Sequence, residues 1–141
     1  MRHMLALTAA LTLLAGARAE DKQVKPLKEF KGRVSHELAR AAKDGYVAGP
    51  KAWAKLWKDW KIEGKLPKID WKNEIVLIAT SGGSGMGLSA SLDDKGDLKG
   101  IAFGTADIRP DSAFHIIVVP SKGVKTINGK KPTFEKNDAE P

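Results

Sequence analysis

The sequence predicts an α+β domain, a single antiparallel sheet of about five strands with one Trp-faced amphipathic helix packed on it. Three observations carry this. Residues 51–62 (KAWAKLWKDWKI) place Trp53, Leu56, Trp57 and Trp60 at helical spacing on one face. After residue 70 the apolar period shortens from 3.6 to 2. The helical pattern comes first and the strands follow as a block, which separates α+β from alternating α/β.

The elements follow in order. Residues 1–19 (MRHMLALTAALTLLAGARA) have a short basic head, an apolar run and an A-x-A site at Ala17-Arg18-Ala19. That three-part pattern is a secretory signal peptide cleaved after Ala19. The alternative is a membrane anchor, but the run is about a dozen residues where a spanning helix needs ~20. Ala17 stands where a lipoprotein signal carries its acylated cysteine, so the chain is not a lipoprotein. Residues 20–26 read as a flexible arm, 27–136 as the domain and 137–141 as a disordered tail.

Within the domain, residues 27–34 (LKEFKGRV) can include a first strand. Ser35 is an N-cap for a short helix over 36–43, ended by Asp44-Gly45. Tyr46-Val47-Ala48 is a possible short strand before Gly49-Pro50. Pro50 then opens the Trp-bearing helix, and Gly64 stops it. Residues 74–80 (EIVLIAT) form a two-faced strand covered on both sides. Leu88, Ala90 and Leu92 alternate with Ser89 and Ser91, the turn Asp93-Asp94-Lys95-Gly96-Asp97 follows, and residues 98–103 return as a hairpin. Residues 113–119 (AFHIIVV) are a second two-faced strand, and 123–127 a last short one before Asn128-Gly129.

The 141 residues contain no cysteine and carry 24 Lys+Arg against 17 Asp+Glu. Disulfides, zinc ribbons, iron–sulfur clusters and cysteine nucleophiles are thereby excluded. Removing residues 1–19 takes away two arginines and no acid, so the expected mature chain has 122 residues and a charge of +5. No other apolar run is long enough to span a membrane, so the mature chain has no expected transmembrane segment. Nineteen of its 22 basic residues are Lys, and only Arg33, Arg40 and Arg109 offer the bidentate fork that base and phosphate recognition prefers. Nucleic acid is not an expected partner; a solvated Lys face, with weak attraction to anionic surfaces, is.

The motifs that suggest chemistry each meet a plainer reading. Ser81-Gly82-Gly83-Ser84-Gly85-Met86-Gly87 follows a strand, as phosphate loops do, but the next residues alternate as a strand instead of opening a helix. Met86 also breaks the G-x-S-x-G nucleophile elbow. A structural or ligand-contacting loop remains. Asp93, Asp94 and Asp97 lack the spacing of a calcium loop and fit a hairpin turn. His36 and His115 are too few for a His-rich zinc site, and His115 shares a strand face with Ile117 and Val119, as a core histidine would. No cofactor or metal is expected. Trp53, Trp57 and Trp60 are assigned to the core, with an exposed sugar-stacking or membrane-surface stripe as the alternative. Arg109 stands in the long polar connection 104–112 (GTADIRPDS), where a salt bridge to Asp107 or Asp111 competes with a functional contact.

The Trp-bearing helix leads to Pro67-x-Ile69-Asp70-Trp71, then Glu74-Ile75-Val76-Leu77, a glycine-rich segment, a hairpin and a strand ending in Pro120-Ser121-Lys122. Over residues 51–122 this resembles the PrcB C-terminal-like domain, an accessory domain of a bacterial surface protease complex. Trp71 replaces the usual Phe, and Ser81-Gly82-Gly83-Ser84 lacks the tyrosine of the family's T-G-G-Y segment. The resemblance implies a non-catalytic, partner-binding role in the envelope and supplies no catalytic residues. The expected function is therefore a non-catalytic secreted or periplasmic accessory module that docks on another envelope or secreted protein, with a protease as one such partner. Its contact residues would be Gly83, Ser84, Met86 and Arg109, provided the two loops share one end of the sheet. The alternatives are a small hydrolase using Asp70 or Asp107 with His115, and a carbohydrate or anionic-surface binder using Lys and Trp.

Overall fold

The computed structural model describes residues 21–136. The expected signal segment 1–19 with Ala17 and Ala19, and the expected tail 137–141, lie outside the described residues. Among the described residues, seven strands and two helices occur in the order β1 (Lys22–Val24), β2 (Lys28–Val34), α1 (His36–Arg40), α2 (Pro50–Asp59), β3 (Glu74–Ser81), β4 (Met86–Leu92), β5 (Asp97–Gly104), β6 (Ser112–Pro120) and β7 (Thr126–Ile127).

The expected single five-stranded sheet is corrected to two sheets. One has the order β2-β6-β3, the other β1-β4-β5-β7. All pairings are antiparallel except the short β5–β7 contact at Asp97–Thr126 and Leu98–Ile127. The sequence carries the physical reason. β3 and β6 are apolar on both faces, whereas β4 is apolar on one. Both faces of β3 and β6 need a cover, and one helix supplies only one. The hairpin β4–β5 supplies the other as a second layer.

Three layers result. On one face of the central sheet, Val76, Ile78, Phe114, Ile116 and Val118 pack with Trp53, Trp57 and Trp60 of the α2 region. On the other, Ile75, Leu77, Ile117 and Val119 meet Leu88, Ala90, Leu98 and Ile127. The three tryptophans are buried, which removes them as an exposed stripe. Trp53 Nε1 donates to Pro67 O at 3.0 Å and Trp57 Nε1 to Gly64 O at 3.3 Å, so each indole's polar edge is satisfied inside the core.

Local signals behave as their chemistry requires. Ser35 accepts from Leu38 N at 3.3 Å and caps α1. Pro50 opens α2, and Asp93 Oδ1 accepts from Lys95 N and Asp97 N to close the hairpin turn. Lys22–Val24 departs from the expected arm: it pairs with Leu92–Ala90 as an edge strand, and Asp21 joins Lys99 at 3.0 Å. Tyr46 forms only a single bridge, to Leu77, but Val47 N donates to Val76 O and Ile78 N to Gly45 O, so this segment covers the outer edge of β3 at Val76–Ile78.

Candidate functional site

β3 ends at Ser81 and β6 begins at Ser112, and their register pairs Ser81 with Ala113. The glycine loop leaves β3 at the same end of the molecule at which the 104–112 loop returns to β6. The two loops expected as one contact surface do share an end, and they are bonded to each other. Thr105 N donates to Gly85 O at 3.2 Å and Arg109 N to Gly82 O at 2.9 Å. Gly85 N donates to Thr105 Oγ1 at 3.0 Å.

Asp107 organises the centre. Its Oδ1 accepts from Ser84 N and Ser84 Oγ, each at 3.0 Å, and its Oδ2 accepts from Arg109 Nε at 3.0 Å. The Ser84 amide, then the Thr105 and Ser84 hydroxyls and the Arg109 guanidinium, hold the carboxyl well below the usual carboxylate range. Gly83 sits so close to this cluster that a Cβ would lie 2.4 Å from both Thr105 O and Thr105 Oγ1. Only glycine fits there, because the second loop's backbone occupies the side-chain space.

Two residues outside the expected contact set complete the arrangement. Arg33, at the end of β2, donates to Ser84 O at 3.0 Å and Gly83 O at 3.2 Å, and its Nε donates to Asp111 Oδ1 at 2.8 Å. The hydrogen bond that Arg33 donates to Asp111 raises the Arg33 pKa, and the same bond lowers that of Asp111. His36 Nδ1 lies 2.6 Å from Ser112 Oγ and its Nε2 2.9 Å from Arg109 O. With Nε2–H donating to the carbonyl, Nδ1 accepts from the hydroxyl. Arg33 and His36 therefore clamp both loops to β2 and α1. Their partners lie far away in sequence, which is why no local motif marks them. The signal that was available is scarcity: Arg33 is one of three arginines outside residues 1–19.

The four expected contact residues separate by environment. Gly83 is buried, Met86 is half-buried, and Ser84 and Arg109 are exposed. Arg109 forms the expected bridge to Asp107, while Asp111 pairs with Arg33. Beside them stand two exposed apolar side chains: Ile108 at the loop tip is 93% exposed and Phe103 on β5 63%.

The proposed hydrolytic residues do not converge. Asp70 lies before the start of β3, bonded to Asn73 Nδ2 and Lys72 N, while Asp107 lies beyond its other end, roughly 25 Å away for an eight-residue strand. His115 is enclosed between the sheets, where Nδ1 accepts from Leu88 N at 2.7 Å. Among the described residues, no helix is long and apolar enough to cross a membrane. Compared with family models, with curated proteins and with solved structures, the chain matches none.

Proposed function

We propose that this chain is a non-catalytic accessory module, exported to the periplasm or beyond, that docks on another envelope protein through the loop end of its sheets. The likeness to the PrcB C-terminal-like domain makes a protease one such partner. A single observation carries the reading. Two polar loops are pre-organised by Asp107, Arg33 and His36, yet they hold Ile108 almost fully in solvent. A rigid frame presenting an apolar tip lowers the entropy cost of ordering a contact and supplies surface worth burying.

Photo-crosslinking in the native envelope tests it. A photoreactive side chain at Ile108 should give a discrete adduct larger than the chain. The same probe at Lys58, on the solvent side of α2, should give none. Monomer alone at both positions would count decisively against a docking role.

A further inference from the structure

Among the described residues, most stretches of sheet edge are short, charged or partly covered. β2 lines its edge with Lys28, Glu29, Lys31 and Arg33. β1 is three residues long and begins with Lys22. The outer edge of β3 is covered at Val76–Ile78 by the Gly45–Val47 backbone. Where β4 runs past β1, Leu88 N is taken by His115 of β6. Such devices keep a strand edge from pairing with another chain.

The second half of β5 has none of them. β7 pairs only with Asp97 and Leu98. Asn128 extends that cover by donating its N–H to Leu98 O and accepting Gly100 N at its Oδ1, both at 2.9 Å. The Gly100 amide therefore points off the sheet, and strand alternation sends the amides and carbonyls of Ala102 and Gly104 the same way. Beside them Ile101 and Phe103 are 43% and 63% exposed on the outer face. Residues 100–108 contain one charge, Asp107, and Arg109 neutralises it.

We propose that this open edge takes an extended segment of the partner protein as an added strand beside β5. The segment's alternate apolar side chains lie over Ile101 and Phe103, and an acidic residue sits toward Lys130, which bridges Ile127 of β7. This rests on the docking reading above and gives it a mode. A second copy is the weaker occupant. Its own open edge is the same four residues, far short of the ~1,200–2,000 Å² that a stable interface buries. Two copies of the expected mature chain, each at +5, also repel. An extended segment escapes both limits. It can run on past Gly104 to Ile108, and it can carry a carboxylate to the exposed Lys130 after Asn128.

The probe is a displayed library of random short peptides selected on the full chain. Enriched peptides should alternate apolar residues with an acid near one end. The bound peptide should slow hydrogen exchange at Ala102 and Gly104. Ala102→Pro removes an outward N–H at an edge position where proline is tolerated, and should weaken binding about tenfold while leaving the tryptophan emission unchanged. Phe103→Lys, which leaves the backbone alone, should weaken it as well. An empty selection, or peptides that bind both variants like wild type, overturns the strand mode. So does self-association of the chain that Ala102→Pro abolishes, since a second copy then holds the edge. A crosslink at Ile108 that survives Ala102→Pro leaves docking standing and removes only this mode.

Discussion

Gly83 and His115 show how differently single residues announce themselves. Gly83 sits in a glycine-rich segment that suggests flexibility, yet its missing side chain is the space that Thr105 fills. Gly83→Ala should destabilise the protein by about 1–3 kcal/mol, as overpacking does. Chemical denaturation reads the loss; a variant as stable as wild type would show that the loops are not locked together. His115 was legible as a core residue from its place among Ile117 and Val119. Its pH behaviour was not, because that depends on a neighbouring strand. Burial first, then the charge of Lys31, push its pKa down, against the opposing pull of Glu29. The unfolded chain then holds the imidazole proton more tightly than the folded one. Stability is therefore complete above the ordinary imidazole range near ~6.5 and falls as the pH drops through it. The urea midpoint should decline between pH 7.5 and pH 5, and less steeply in His115→Gln. Equal slopes for the two proteins would remove His115 from the account. Asp107 and Asp111, also depressed, act lower: their contribution is lost only as the pH falls below the usual carboxylate range.

The elements were readable where the information was local. The Trp stripe, the Ser35 cap and the hairpin turn each lie within a few residues of what they control. The N-terminus of α2 is the counterexample. Gly49 offers no side-chain cap, and Glu135, more than 80 residues on, accepts from Lys51 N at 3.0 Å and Ala52 N at 2.7 Å. A Cβ on Gly49 would lie 2.8 Å from Glu135 Cβ, so the glycine leaves room for the distant cap. Glu135→Ala should cost about 0.5–2 kcal/mol, with Glu135→Gln intermediate because it keeps an acceptor but loses the charge. Thermal melts rank the three proteins, and an alanine variant equal to wild type would show the contact to be idle. At the centre of the same helix, Trp57→Ala should cost about 3–5 kcal/mol, since the indole packs edge-on against Phe30 with centroids 5.4 Å apart. Denaturant titration measures it. The candidate site was legible in its loops and hidden in its clamps, because Arg33 and His36 reach across the fold to residues that periodicity cannot assign to them.

At the scale of the molecule, the two cores share one wall. Val76, Ile78, Ile116 and Val118 face the tryptophans, and Ile75, Leu77, Ile117 and Val119 on the same two strands face the second sheet. The sequence displayed this as two-faced strands. It did not display the second sheet, since alternation reports that a face is buried and says nothing of what buries it. Sharing the wall has a thermodynamic consequence. Detaching the β1-β4-β5-β7 sheet would expose Leu77, Leu98, Ile117 and Val119, each at most 1% accessible, and would leave the Leu88 amide and His115 Nδ1 to seek new partners. Losing α2 would strip the opposite face of the same strands. Neither half keeps a core of its own, so the domain should unfold as one cooperative unit. Tryptophan emission follows the helix side, and amide signals of Leu88, Ala90 and Leu98 follow the second sheet. Their urea transitions should share one midpoint. If the amides of the second sheet are lost at lower urea than the tryptophan shift, the hairpin is a separable layer. The open edge of β5 would then belong to a part of the molecule that can detach while the helix side stays folded.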